Sequence, residues 1–402
     1  MRKIRCIHYS DLHLGDDAAT ATRLMRRTLP EYVARLNCTF DYAFCSGDIK
    51  EWKADYSTAP DFLRKLCEVA NTPLDRLFIV PGNHDVDLAV GGKMRDELIT
   101  KLTDWKTSDY ESNEGLISEH NLSLLQSGRE QFTAFVKELL GDDRASLYKN
   151  PHFVVTTKHF NILHVDSTLT YGKGHDRDFV IGTGLLLDAL EKRNRNLPTI
   201  LLTHYSFDFL TQGERNYVET ILAHEDVQLW LAGHEHENLI RWQREKFLEC
   251  QCGNLALQKG ARSCFLTGEL DLDTGDGEIT VHAWYDGRNW AQYPFARSHT
   301  EDDNIYPFQI NISPEHQNNI DASRELESAR ESFSRLATAG GLFSGVSLNP
   351  TILPDLEYGG KAYINRDENP YPLEQVMDCL WNDAAAHPEI SPNALILGDG
   401  GM

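Results

Sequence analysis

The chain has 402 residues, 41% hydrophobic content and a formal net charge of −22. No apolar run approaches the roughly 18 residues that a membrane-spanning helix needs, which excludes an integral membrane protein and favours a soluble chain of two or three domains. Residues 301–402 carry 17 acidic and 5 basic side chains, so only −10 remains for residues 1–300. This charge argues against a broad, sequence-independent surface for duplex nucleic acid.

The N-terminus is basic, but it runs straight into a predicted strand. It lacks the apolar block and the small-residue cleavage site of a signal peptide. The eight cysteines form no C-x-x-C pair, and several lie inside apolar runs, as expected of reduced core residues. We therefore expect a cytoplasmic protein with no membrane partner.

The first 80 residues alternate between predicted strands and helices. Strands are predicted at 3–10, 42–47 and 77–80, with helices near 24–36 and 59–70 between them. Parallel strands need such crossover connections, so this alternation predicts a parallel arrangement at the start of an α/β fold.

Residues 88–150 interrupt this alternation and are predicted to be a mainly helical insertion. The insertion directly follows the turn after the third strand, so it would overhang the end of the sheet. The insertion either takes part in substrate selection or only packs against the rest of the domain.

After the insertion, a strand pair is predicted at 153–157 and 160–165. Helices near 183–193 and 214–224 lead to strands that end at His204 and at Gly233. Only strands are predicted between 238 and 285, and this shift to antiparallel structure suggests a second sheet packed on the first.

Five apolar strands end in side chains that bind metals. The candidate ligands are Asp11, His13, Asp48, Asn83, His204, His234 and His236. Oxygen and imidazole nitrogen without sulfur suit borderline divalent ions such as Mn, with Fe, Zn or Mg as alternatives. Seven ligands exceed the needs of one ion, so we expect two ions, with Asp48 on a central strand able to bridge them.

Such a centre lowers the pKa of a bound water towards about 7 and supplies hydroxide at neutral pH. His84 follows a candidate ligand but has no ligand role itself, so we expect it to protonate the leaving oxygen. Asp85 is the candidate to orient the His84 ring. In the polar loop 171–177, His175 and Arg177 are either phosphate-binding residues or ordinary surface residues.

These strand ends resemble, in order and spacing, the motifs of the calcineurin-like metallophosphoesterase family over roughly residues 1–290. The matching motifs are Asp11-x-His13, Gly47-Asp48, Gly82-Asn83-His84-Asp85, His204 and Gly233-His234-x-His236. The resemblance implies a four-layer αββα sandwich of two mixed sheets, here assigned to residues 1–300.

The same resemblance implies how the ligands divide. One metal would be held by Asp11, His13, Asp48 and His236, and the other by Asp48, Asn83, His204 and His234. Thr203 stands where many relatives have a second histidine, but that histidine is not a ligand in them.

The last hundred residues predict a linker at 301–345 with a helix near 320–338, and a connector with the start of another domain at 346–402. The apolar run 394–397 leads into Gly398-Asp-Gly-Gly401-Met, the first five positions of the phosphate-binding pattern G-x-x-x-x-G-K-[S/T]. A glycine-rich tail is the alternative. The preferred interpretation resembles a STAND or NACHT NTPase, with this chain as its N-terminal effector and ATP bound only by a longer parent chain.

The leading hypothesis is therefore a dinuclear-metal phosphodiesterase that acts on nucleic acid, as the nuclease effector of an antiviral STAND-type NTPase. Assembly by the NTPase would make it a homo-oligomer. The alternative is a phosphodiesterase for small or cyclic nucleotides. A phosphomonoesterase or a non-catalytic metal module is ranked lower.

Overall fold

The computed structural model describes residues 3–15, 20–103, 117, 119–256, 262–285, 288–293 and 304–312, together with the backbone of 361–362 and 371–372. The chain divides into two compact units, Met1–Ile312 and Ser313–Met402. In the second unit, Lys361–Ala362 pairs antiparallel with Tyr371–Pro372. The predicted helix near 320–338 and the incomplete phosphate loop with Gly398 and Gly401 lie outside the described residues.

The strands of the first unit are numbered in chain order. They are β1 (Lys3–Tyr9), β2 (Tyr42–Cys45), β3 (Leu77–Ile79), β4 (His152–Thr156), β5 (Asn161–Val165), β6 (Thr199–Leu202), β7 (Val227–Ala232), β8 (Leu239–Gln243), β9 (Phe247–Gln251), β10 (Cys264–Asp271), β11 (Asp276–Tyr285), β12 (Asn289–Tyr293) and β13 (Ile305–Gln309).

The helices of the described residues follow the same numbering. They are α1 (Thr20–Arg35), α2 (Ala59–Val69), α3 (Gly92–Thr103), α4 (Glu119–Leu125), α5 (Glu130–Leu140), α6 (Asp142–Leu147), α7 (Thr183–Leu190) and α8 (Gln212–His224), with short 3-10 turns at Leu74–Arg76, Asn83–Asp85 and Phe207–Phe209.

The strands form two mixed sheets. The first has the order β12-β11-β10-β1-β2-β3, with β13 also paired to β11, and the second has the order β4-β5-β6-β7-β9-β8. Strands β1, β2 and β3 are parallel neighbours, as are β5, β6 and β7. The predicted α/β fold with two mixed sheets is confirmed.

The late antiparallel strands do not form a sheet of their own, contrary to the sequence-based expectation. Strands β8 and β9 extend the second sheet beside β7, whereas β10 pairs antiparallel with β1 and brings β11 and β12 into the first sheet. The physical reason is that β1 has β2 on one side only, so its other edge needs a partner for its backbone groups.

Helices cover the outer faces of the sheets. In α1, the buried residues Met25, Leu29 and Val33 recur every four positions and form one face, and the helix contacts β12 of the first sheet. Helices α7 and α8 bury Leu186 and Leu222 in the core of the second sheet. This packing gives the helix–sheet–sheet–helix order of the predicted sandwich.

The two sheets contact each other through their inner faces. The Phe78 ring on β3 lies 5.7 Å from the His164 ring on β5, measured between centroids. Strands β2, β3, β5 and β6 are buried at every position, as expected of central strands that are covered on both faces.

The described part of the predicted insertion is helical and contains α3 to α6. A buried ion pair between Arg129, in the insertion, and Asp166, just after β5, ties the insertion to the second sheet. Arg129 also donates to Thr168 Oγ1. The insertion is therefore anchored next to the strand ends rather than at a distant edge.

The first unit extends past the predicted boundary at residue 300. Strand β13 lies within the segment 301–345 that was assigned to a linker, but it pairs antiparallel with β11 and so belongs to the first sheet. No helix of the described residues has the length and apolar character needed to cross a membrane.

Candidate metal centre

The ends of β1, β2, β3, β6 and β7 meet at one place. Backbone hydrogen bonds join the loops after β1 and β2, from Asp11 N to the Gly47 carbonyl (3.0 Å) and from His13 N to the Asp48 carbonyl (2.9 Å). His234 N donates to Asp11 Oδ2 at 3.0 Å and links the two sheets. The structure thus brings the predicted ligands together.

Three of these ligands form one possible metal-binding group, Asp11, His13 and His236. His236 Nε2 lies 3.1 Å from Asp11 Oδ1 and 3.2 Å from His13 Nε2. His13 Nε2 lies 3.8 Å from Asp11 Oδ1. Two imidazole nitrogens and a carboxylate oxygen therefore face one small space.

A second possible group contains Asp48, His204 and His234. Asn83 Oδ1 lies 2.9 Å from His204 Nε2, which adds an amide oxygen to this group. Asp48 Oδ2 lies 3.6 Å from His204 Nε2 and 4.0 Å from His13 Nε2. Asp48 therefore lies between the two groups, where a bridging ligand is needed.

The donor set fits divalent cations. The Asp11 and Asp48 side chains are 0% and 1% exposed, and burial together with the Asp11 charge raises the pKa of Asp48 well above its usual range. Burial opposes ionisation of Asp11, but the His236 hydrogen bond and the nearby imidazoles hold its pKa below the usual range. Two adjacent buried carboxylates ionise together only when a cation compensates them.

The His204 ring is oriented for ligation by a backbone contact. Its Nδ1 lies 2.7 Å from the Ser46 carbonyl, which fixes the Nδ1–H tautomer and turns the lone pair of Nε2 towards Asp48 and Asn83.

Five of the seven candidate ligands have a left-handed backbone conformation. They are Asp11 (φ 51°), His13 (φ 44°), Asp48 (φ 51°), His234 (φ 74°) and His236 (φ 58°). This conformation costs a residue other than glycine about 1–2 kcal/mol. Such strain concentrates where function requires a side chain in one direction.

Two glycines allow the loops to approach each other closely. A Cβ atom on Gly82 would lie 2.1 Å from Asp48 Oδ1, and one on Gly233 would lie 1.8 Å from Ser10 Oγ. No side chain fits at either position, so the Gly-Asn-His and Gly-His-x-His motifs begin with glycine for steric reasons.

His84 lies at the edge of the centre, and Glu51 is its acidic neighbour. Glu51 Oε1 is 3.3 Å from His84 Nδ1, and Glu51 Oε2 is 3.3 Å from His13 Nδ1. The His13 ring beside it lowers the pKa of Glu51 to about 2. Burial, with the His13 ring, lowers the pKa of His84 to about 4. His84 Nε2 is 3.8 Å from Asp48 Oδ2, within a third possible metal-binding group.

The prediction that Asp85 orients His84 is wrong. The Asp85 carboxylate points into the protein and accepts hydrogen bonds from Tyr56 Oη (2.7 Å), Gly82 N (2.8 Å) and Ile49 N (3.3 Å). It therefore holds the turn that carries Asn83 and His84, and Glu51 occupies the position that was assigned to it.

The two predicted phosphate-binding residues lie in different places. His175 packs against the insertion, with its ring nitrogens 3.3 Å and 3.4 Å from the Thr100 and Thr103 hydroxyls. Arg177 is exposed and lies 4.8 Å above the Phe209 ring, which in turn contacts His234. Arg177 is thus the one of the two that borders the candidate centre.

Sequence reasoning missed Glu51. The signal was a carboxylate three residues after Asp48, in the same strand-end loop. Nothing local shows that this loop bends back towards His13, because the bend depends on the bond from Glu51 N to the Leu14 carbonyl, at 2.8 Å.

We expect about two divalent ions per chain, since the donors form two groups around Asp48. Asp48→Asn should lower the content of both ions, whereas His236→Ala should lower mainly one. Elemental analysis of the purified variants measures this directly. An Asp48→Asn protein that keeps both ions would contradict the bridging position.

Glu51→Gln should reduce turnover about 10- to 100-fold, because the His13 and His84 rings lose their shared anionic partner. Asp55→Asn is the matched control, since Asp55 is an exposed acid of the same loop that bonds Ser57. Steady-state kinetics of both variants with Mn²⁺ check the expectation. Equal turnover of Glu51→Gln and Asp55→Asn would show that Glu51 has no such role.

Residues 4–238 match the family described as calcineurin-like phosphoesterase. An uncharacterised metallophosphoesterase-like protein, YydB of Bacillus subtilis (strain 168), is 25% identical over 300 residues, which cover 70% of this chain and 60% of the relative. The chain thus spans less than two thirds of that relative's length.

Among solved structures, a purple acid phosphatase from yellow lupin (Lupinus luteus) seeds is 11% identical, with a TM-score of 0.42 over 73% of this chain and 53% of the other. Vps29 of Entamoeba histolytica in complex with Zn²⁺ is 12% identical, with a TM-score of 0.33 over 72% and 98% of the two chains. The family match covers more than half of the sequence and includes every candidate ligand. The chain therefore belongs to the calcineurin-like phosphoesterase family.

Proposed function

We propose that this protein is a phosphodiesterase that depends on two divalent metal ions and acts on nucleic acid. The observation that carries the proposal is the pair of donor groups around Asp48, with the partly exposed His84 at their edge. When bound, two such ions supply a water-derived nucleophile and neutralise phosphate oxygens.

His84 is the proposed general acid for the leaving oxygen. Its side chain is 22% exposed, so a substrate can reach it. Glu51 contacts the ring at Nδ1, and the other ring nitrogen, Nε2, lies towards Asp48. The pKa of His84 is lowered to about 4 mainly by burial, and the negative charge of a bound phosphate raises it again. The charge of the substrate thus opposes the effect of burial on the protonated ring.

The charges at the rim favour a diester over a monoester. A phosphate monoester carries a charge of about −1.5 to −2 at neutral pH, whereas a diester carries only −1. Glu51 contacts the His13 and His84 rings, and Glu235 lies between the candidate ligands His234 and His236 in the chain. Burial raises the pKa of Glu235, and the nearby Arg177 opposes this rise. The two acidic side chains repel a singly charged diester less than a doubly charged monoester.

Arg177 is proposed to contact a phosphate group of the substrate. It is exposed and lies over Phe209, whose ring contacts the candidate ligand His234. His175 has a weaker case, because its ring nitrogens face two hydroxyls of α3.

The second candidate is a phosphodiesterase for small or cyclic nucleotides, which the same centre supports. The nuclease-effector hypothesis adds an NTPase partner domain, and hence ATP and a homo-oligomer, to the first candidate. It rests on the sequence pattern around Gly398 and Gly401 and stays a prediction.

A substrate panel tests the proposal. Purified protein with Mn²⁺ should cleave single-stranded or plasmid DNA or RNA, and bis-p-nitrophenyl phosphate faster than p-nitrophenyl phosphate, with EDTA abolishing both. Cleavage of cyclic nucleotides alone would select the second candidate. Hydrolysis of the monoester alone would contradict the proposal.

His84→Ala should lower turnover of a nucleic acid about 10²- to 10⁴-fold, because an alkoxide leaving group needs a proton. The loss should be smaller for bis-p-nitrophenyl phosphate, since nitrophenolate leaves without protonation. Metal content, measured alongside, should match the wild type. A loss of metal would instead make His84 a ligand, as its place in a third donor group allows.

A further inference from the structure

We propose that Trp52 and Tyr171 form a stacking surface for the nucleobase of the leaving group, beside His84. This inference rests on the proposed function and adds the feature of the substrate that the site recognises. We call these two residues the aromatic pair.

Trp52 is a large aromatic side chain that is 37% exposed next to the candidate centre. Its ring is perpendicular to the His84 ring (89°), with centroids 5.7 Å apart. It also meets the Tyr171 ring edge to face, at 6.3 Å and 80°. An exposed indole gains stability when it is covered, so the position of Trp52 against His84 suits a planar substrate group that stacks on it.

Both members of the aromatic pair are held in place. Lys50 Nζ donates to the His84 carbonyl (2.9 Å) and reaches the Trp52 carbonyl (3.4 Å), which fixes the backbone of Trp52 relative to His84. Trp52 N donates to Glu51 Oε1 at 3.0 Å. Tyr171 N donates to the Thr168 carbonyl at 2.9 Å, and the Tyr171 ring packs against the buried Phe179 ring, with centroids 6.4 Å apart. A rigid surface loses little conformational entropy when a base stacks on it.

The position of the pair identifies the part of the substrate. His84 transfers its proton to the leaving oxygen, so a group that rests against the neighbouring Trp52 belongs to the leaving alcohol. Arg177 lies over Phe209, whose ring contacts His234, and it is available to another phosphate group of the substrate. Every base has a π face, so such a contact favours nucleosides over other alcohols without choosing among bases.

The test uses three dinucleotides, one with both bases and two in which one base or the other is replaced by an abasic site. Product analysis shows which nucleoside leaves. With the wild type, removing the leaving base should lower kcat/KM about 5- to 150-fold, the usual range for stacking one base on an aromatic side chain. Removing the other base should have a smaller effect.

Trp52→Ala should lose the preference for a base on the leaving nucleoside, whereas Trp52→Phe should keep most of it. Tyr217→Ala is the control, because Tyr217 is an aromatic residue of α8 that is 40% exposed. It should behave as the wild type. The metal content of all three variants should be unchanged.

An equal loss on all three dinucleotides in Trp52→Ala would overturn the stacking role, since a residue that only positions His84 affects each substrate alike. If the wild type cleaves no dinucleotide but hydrolyses a phosphomonoester, the proposed function fails. The binding affinities of the same dinucleotides for wild type and Trp52→Ala then test stacking separately, and equal affinities would overturn it as well.

Discussion

The carboxylates of Asp11 and Asp48 are buried side by side where the two sheets meet. Burying an ionised carboxylate costs several kcal/mol unless an opposite charge and hydrogen bonds compensate it. Backbone donors provide part of this, since His234 N bonds Asp11 and His84 N bonds Asp48 Oδ1 at 2.8 Å. The remaining charge is what a pair of divalent cations would compensate, as the donor groups around Asp48 allow.

This requirement explains the local strain. Left-handed backbone at residues such as Asp11 and Asp48 turns each strand end sharply towards the neighbouring strand end. Close packing then leaves no room for a side chain at Gly82 or Gly233. The sandwich holds these turns in place because β2 and β3 are buried at every position and cannot relax towards solvent.

Two sets of neighbours surround the candidate ligands. Glu51 contacts the rings of His13 and His84, and Lys50 fixes the carbonyls of His84 and Trp52. The Phe209 ring contacts both His234 and Arg177. Under the proposed function, the first set serves proton transfer and base stacking, and Arg177 serves a further phosphate group.

The sequence alone was enough to predict the sandwich, the family resemblance and the seven candidate ligands. Strand ends at a shared edge place their side chains together, so residues such as Asp48 and His204 are identified by the strands that precede them.

The detailed roles of the site residues depended on distant contacts. Asp85 is adjacent to His84 in the chain but points towards Tyr56, whereas Glu51, 33 positions before His84, reaches the His84 ring. Likewise β10 joins the first sheet because of the free edge of β1. Local sequence predicts which side chains follow each strand. Only the tertiary structure decides which of these side chains face one another, because hydrogen bonds to other parts of the chain direct the loops.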